Sequence, residues 1–144
     1  MNRSMGKINS KQKGARFERI LAGLFRDHGY QTRRTAQYCG NTGDASDVIG
    51  LPGIHIEAKH QERMQLYDWM EQAKRDSKGT GNIPAVFHKK NNAGILVTMY
   101  FDDWMQIYKE WDAGQHIKND FPLSPLLKKQ CLKGEKADDK KNQV

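Results

Sequence analysis

Between residues 10 and 28 the apolar side chains Phe17, Ile20, Leu21, Leu24 and Phe25 recur at helical spacing, with Arg16, Arg19 and Arg26 on the other side. This predicts an amphipathic helix that Ser10 caps and Gly29 closes. At 100° per residue Glu18 falls beside Phe25, on the edge of the apolar stripe. Residues 30–35 read as a short strand, and residues 37–46 as a polar, glycine-containing loop. A second strand covers Asp47 to Ile49, and Leu51-Pro52-Gly53 makes a turn. In a third strand Ile54, Ile56 and Ala58 alternate with His55, Glu57 and Lys59. A helix over about 66–78 turns Leu66, Trp69, Met70 and Ala73 inward, and strands follow near 84–89 and 94–100. Asp102 or Asp103 caps a last helix expected to bury Trp104, Ile107, Tyr108 and Trp111, so that Trp69, Trp104 and Trp111 read as core residues rather than base-stacking platforms. The order α-β-β-β-α-β-β-α predicts an α/β domain with a mixed sheet flanked by helices.

Charge adds a partner to this picture. Residues 1–34 hold nine Lys and Arg against two acids, residues 35–112 eight against eleven, and residues 113–144 seven against four. The net +7 is therefore an arm and a tail of +7 and +3 around a centre of −3, which suits a polyanion partner and a carboxylate-lined site. Solvated charged faces are the plainer explanation of the same numbers. We expect a flexible basic arm over 1–9, a domain over 10–112 and a loosely ordered basic tail over 113–144. No apolar run approaches the ~18 residues of a bilayer span. The basic N-terminus lacks the apolar segment of a secretory signal. Cys39 and Cys131 fit no metal spacing, so a reducing cytoplasm with free thiols is expected.

The chemistry concentrates on Asp47, Glu57 and Lys59. Glu57 and Lys59 are two apart on one strand and project from one face, about 6–7 Å apart. Folding back at the turn over 50–53 brings Asp47 alongside, so two carboxylates and an ammonium converge. Carboxylates suit Mg²⁺, with Mn²⁺ as a substitute. The ligand set would be Asp47, Glu57 and the Ala58 carbonyl, with Glu18 approaching from the first helix. Such a metal activates water and neutralises charge on a scissile phosphate, while a lysine can hold or deprotonate the water or steady the oxyanion. Singly these residues have ordinary explanations. Glu57 and Lys59 could form a surface pair on an edge strand, and Glu18 could be a helix-boundary residue. His55 reads as a flanking polar residue and Asp44 as a turn former.

Gly43-Asp44-Ala45-Ser46-Asp47-Val48, then eight residues, then Glu57-Ala58-Lys59, resembles the PD-(D/E)xK nuclease motif. The upstream Lys13-Gly14-Ala15-Arg16-Phe17-Glu18-Arg19, followed by Gly29-Tyr30 and Arg33, resembles archaeal and phage Holliday-junction resolvases. Ala45-Ser46 stand before Asp47 without the proline of the motif's name. The resemblance covers roughly residues 10–111. It implies a restriction-endonuclease-like core, Mg²⁺ dependence, and a homodimer that resolves four-way DNA junctions by paired nicks. It also implies catalytic roles for Glu18, Asp47, Glu57 and Lys59, and lets Gln72, otherwise a helix-boundary residue, orient the phosphate or water. Lys11, Lys13, Arg16 and one of Arg33 and Arg34 are the expected DNA contacts, with Lys7 and Arg19 further candidates; these supply affinity and salt dependence rather than sequence reading. Alternatives are another nuclease on the same core (a nickase, a repair exonuclease or a restriction enzyme, for which the chain is short), a non-catalytic nucleic-acid-binding module, and an inactive structural subunit. The intact motif disfavours the last two.

Overall fold

The computed structural model describes residues 9–35 and 46–120. The expected loop over 37–46, apart from Ser46, lies outside them, as do Lys7, Cys39, Asp44, Cys131 and the chain beyond Asp120. The elements are α1 (Ser10–Asp27), β1 (Arg33–Arg34), β2 (Val48–Ile49), β3 (Ile54–His60), α2 (Leu66–Ser77), β4 (Ile83–Lys89), β5 (Leu96–Met99) and α3 (Phe101–Asp120). Their order is the expected one. The chain divides into two compact units, residues 1–103 and 104–144.

In the first unit one five-stranded sheet runs β1-β2-β3-β4-β5. The β1–β2, β2–β3 and β4–β5 pairs are antiparallel, whereas β3 and β4 are parallel and joined through α2. The sheet is therefore mixed, with helices on both faces. Phe17, Leu21 and Ala22 of α1 form one buried cluster with Val48, Ile56 and Ala58. Trp69, Met70 and Ala73 of α2 form the other with Val86. Because alternate residues of a strand face opposite ways, Glu57 and Lys59 look toward α2 while Ile56 and Ala58 look toward α1.

The α1 stripe is narrower than its periodicity predicts. Ile20 and Leu24 are 47% and 41% exposed, while Glu18 and Ala22 are buried in their stead. The small Ala22 side chain lets the helix approach closely, and its carbonyl accepts a hydrogen bond from the Thr32 hydroxyl at 2.7 Å. The helix also starts one residue earlier in role: Asn9, not Ser10, is the N-cap, its side chain accepting from Lys11 N–H at 3.1 Å. The first strand shortens to two residues.

The turn between β2 and β3 depends on Gly50. Its φ is +102°, and a Cβ there would lie 2.1 Å from the Gln31 carbonyl oxygen. No other residue fits without moving the backbone. This turn folds β3 back against β2 with Val48 opposite Ile56.

The last helix corrects the sequence reading. It starts at Phe101, so Asp102 and Asp103 lie within its first turn, where their charge favours the helix dipole, rather than capping it. It continues past Ala113 to Asp120. Trp104, Ile107, Tyr108 and Trp111 are 48%, 40%, 40% and 58% exposed and are not core residues. They pack on one another along the helix: Trp104 stacks on Tyr108 with centroids 5.2 Å apart, and Tyr108 lies 5.6 Å from Trp111. Spacings of three and four residues bring aromatic rings together on a helix surface whether or not anything covers them. Of the three tryptophans only Trp69 is buried. No helix among the described residues is long and apolar enough to cross a membrane.

Candidate active site

The β2–β3 hairpin sets the geometry. Asp47 N–H donates to the Ile56 carbonyl at 2.9 Å, and the Asp47 carboxylate accepts from Ala58 N–H at 2.8 Å. The Ser46 hydroxyl fastens the same corner: it accepts from Ile56 N–H at 2.9 Å and lies 2.7 Å from the Val48 carbonyl and 3.1 Å from that of Ile56. Continuing the Val48–Ile56 register by one residue sets Asp47 across from Glu57. Thr35 holds the outer side, its N–H donating to the Asp47 carbonyl at 3.0 Å and its hydroxyl to the Ser46 carbonyl at 2.6 Å.

Glu57 is 2% exposed on a strand paired on both sides. It is thus no surface residue of an edge strand. Lys59 Nζ lies 2.8 Å from Glu57 Oε1 and donates to Gln72 Oε1 at 3.0 Å. Gln72 sits on α2, so the helix that covers this face of the sheet also supplies the second acceptor for the ammonium. Asp47, Glu57, Lys59 and Gln72 are therefore brought together. Burial of the Asp47 carboxyl, followed by repulsion from Glu57, pushes its pKa up to about 7, against the opposing pull of Ala58 N–H.

Glu18 stands apart. It is buried on α1 and ion-paired to Arg34 of β1. Its charge still reaches Asp47, raising that carboxyl's pKa less than Glu57 does. Of the two arginines on β1, Arg34 is the inward one, and Arg33 is exposed. Among the described residues, no three His, Cys, Asp or Glu side chains converge closely enough to hold one metal ion. The donor set of Asp47 and Glu57 nonetheless fits a hard divalent cation. The buried Glu57 carboxylate and the half-buried Asp47 carboxyl repel each other, and such a cation relieves that repulsion.

The remaining sequence candidates divide by position. His55 is buried, and Lys11, Arg16 and Arg19 are exposed. Lys13 is half-buried and lines a cavity beside Ala58, Lys59 and His60. Ser46 and Arg34 are the structural supports that sequence reasoning missed in role. The signal for Ser46 was a small hydroxyl residue directly before the carboxylate. For Arg34 there was only its alternation with Arg33.

Residues 9–125 match the family described as "Phage putative PDDEXK endonuclease". The chain belongs to that family. The endonuclease is also similar to a solved structure, that of Hjc from Archaeoglobus fulgidus, described as a Holliday junction resolvase from an archaeal hyperthermophile. That likeness has 26% sequence identity and a TM-score of 0.47, over 60% of this chain and 72% of the other. No curated protein matches this endonuclease. Its assignment rests on the family match, together with the mixed sheet and the Asp47, Glu57 and Lys59 hairpin.

Proposed function

We propose that this endonuclease is a divalent-metal-dependent enzyme that hydrolyses DNA phosphodiester bonds, and that it acts as a homodimer making paired nicks in a four-way junction. The observation that carries the hydrolytic reading is the meeting of Asp47, Glu57 and Lys59 on one face of the β2–β3 hairpin. Asp47, Glu57 and the Ala58 carbonyl would hold Mg²⁺, or Mn²⁺ in its place. Bound there, the metal would lower the pKa of a water and neutralise charge on the phosphate. Glu18, which Arg34 holds through one of its two carboxylate oxygens, would be the further candidate for the set. Lys59 is the group able to hold the attacking water, or to give its charge to the oxyanion that forms at phosphorus. Gln72 and Glu57 fix where that ammonium points. Negative charge shared between Asp47 and Glu57 opposes the approach of a phosphate, and a bound cation would offset it.

The junction preference draws support from the resolvase-like order of the helix-borne Glu18, Arg33 and the hairpin motif. Paired nicks require two sites related by the junction's approximate two-fold symmetry, and one chain supplies one carboxylate hairpin, so a C₂ dimer is the fitting assembly. Lys11, Lys13, Arg16 and Arg33 would contact backbone phosphates, reading shape rather than sequence. Action on DNA sets the expected location inside the cell. Incubation with Mg²⁺ and labelled four-way junction, linear duplex and single strand tests the whole reading. Symmetric cleavage of the junction is expected. Equal cutting of junction and duplex would leave the nuclease and remove the resolvase.

A further inference from the structure

Beyond the hairpin, the molecule has a second basic concavity. It is a cavity of about 650 Å³ between α1, the ends of β3 and β4, and the turn that follows β4. Lys13 and Arg16 enter it from α1, His60 from β3, Lys89 from β4 and Asn91 from the turn, over a floor that includes Phe17. Its lining carries three formal cations and no carboxylate. A neighbouring cavity of about 580 Å³ shares Lys13 and His60 with it and continues to Ala58 and Lys59. The two cavities thus join Lys59 to Lys89 through Lys13 and His60, with Glu62, which accepts from Asn91 N–H, the one acidic residue among their lining.

The far wall is built rather than loose. Asn91 N–H donates to Glu62 Oε1 at 2.7 Å, and Gln61 N–H donates to the Lys89 carbonyl at 3.1 Å. Together they pin the turn to the chain after β3. His60 Nε2 lies 3.1 Å from Asn91 Oδ1, an oxygen that can only accept, so the ring nitrogen donates and the Asn91 amide NH₂ is the end left to face a ligand. Phe17 packs edge-on against the His60 ring with centroids 5.7 Å apart and fixes it from below. Donors fixed in place before binding lose little entropy when they engage an anion.

We propose that this cavity is a second phosphate site, holding an internal backbone phosphodiester of the DNA strand a few nucleotides from the bond that faces Lys59, with Lys89, Lys13 and the Asn91 amide as its donors. The proposal rests on the reading of the protein as a DNA nuclease. It adds to that reading a positioning site distinct from the carboxylate hairpin. A strand held at both points is fixed in direction as well as in place, since one phosphate contact sets distance and two set orientation.

The test is DNA affinity by fluorescence anisotropy on the full chain in chelator, where no cutting occurs. Lys89→Gln is expected to weaken binding roughly three- to tenfold and to lower the log–log salt slope by about 0.9, the share of one phosphate contact. Lys89→Arg, which keeps the charge, retains the slope. A scan of single uncharged methylphosphonates along the strand is expected to find one internal position that weakens wild-type binding by the same factor and adds nothing in Lys89→Gln. Unchanged affinity and slope in Lys89→Gln, or losses that add at every methylphosphonate position, overturn the proposal. A Lys89-dependent loss confined to 5′-phosphorylated strands, or inorganic phosphate competing as a lone ion at Lys89, assigns the cavity to a terminal or free phosphate and overturns it equally. Cleavage by wild type with Mg²⁺ or Mn²⁺ is measured alongside. No cutting together with Lys89-dependent binding removes the nuclease reading and keeps the site, whereas cutting without that dependence removes the site alone.

Discussion

Lys59 Nζ lies 3.0 Å from the amide oxygen of Gln72, a residue thirteen positions on and on the helix that crosses from β3 to β4. The ammonium is thereby held between a carboxylate on its own strand and a neutral acceptor on another element. Lys59→Ala is expected to slow single-turnover cleavage by ~10²-fold or more while leaving metal binding nearly unchanged. Gln72→Ala leaves the charge but frees its direction, and a loss of roughly tenfold is expected, with Gln72→Glu failing to restore wild-type behaviour because it adds charge. Rates near wild type for Lys59→Ala would return the Lys59–Glu57 pair to a purely structural role.

Asp47→Asn and Glu57→Gln are each expected to abolish cleavage while DNA binding persists or strengthens. Each substitution would remove a proposed metal ligand and lessen the negative charge that repels phosphate. Cleavage assays with Mg²⁺, paired with anisotropy in chelator, separate the two effects. Substantial cutting by either variant would move the active site elsewhere.

The Asp47 carboxyl predicts how stability of the metal-free protein depends on pH. Its pKa is about 7 in the folded chain and near 3.8 when unfolded. Between these values the folded state binds more protons than the unfolded one, so this group's contribution is present below the lower value and is lost as pH rises toward and past 7. The change amounts to about 4 kcal/mol at most. Denaturant unfolding in chelator is expected to show wild type losing stability from pH 5 to pH 8, and Asp47→Asn gaining on wild type over that range. A variant that tracks wild type at every pH would contradict the buried, repelled carboxyl.

Ser46→Ala is expected to cost about 1–3 kcal/mol, because it strips the hydroxyl that the Ile56 N–H uses as acceptor. The same variant should lower cleavage more than global stability accounts for, since Ser46 fastens the corner that aims Asp47. Thermal unfolding and single-turnover rates measured on one preparation check both. Full activity in a destabilised variant would confine Ser46 to folding.

These expectations also mark how far the sequence could be read. The hairpin was legible because strand alternation fixes which side chains share a face, and Leu51-Pro52-Gly53 with Gly50 marked the fold-back. Gln72 could be suspected from its place on the next helix. Glu18 could be put at the stripe's edge, but not paired to Arg34: helical periodicity gives an angle about one axis and says nothing of which strand residue lies opposite. The aromatic stripe of α3 failed for a related reason. Periodicity identifies Trp104, Tyr108 and Trp111 as neighbours, and they are, yet it carries no information on whether another element lies over them. The role of Ser46 was only faintly marked, because a hydroxyl residue before an aspartate serves turns as well as such corners.

The carboxylates and the lysine all lie on Asp47 through Lys59, one hairpin closed by one glycine turn. On the proposed function, the cutting chemistry would be a cassette of consecutive residues, while the basic side chains around it come from α1, β1 and the end of β4. On the same proposal, substitutions in those outlying parts would change which DNA shapes are held without touching the Asp47–Lys59 hairpin.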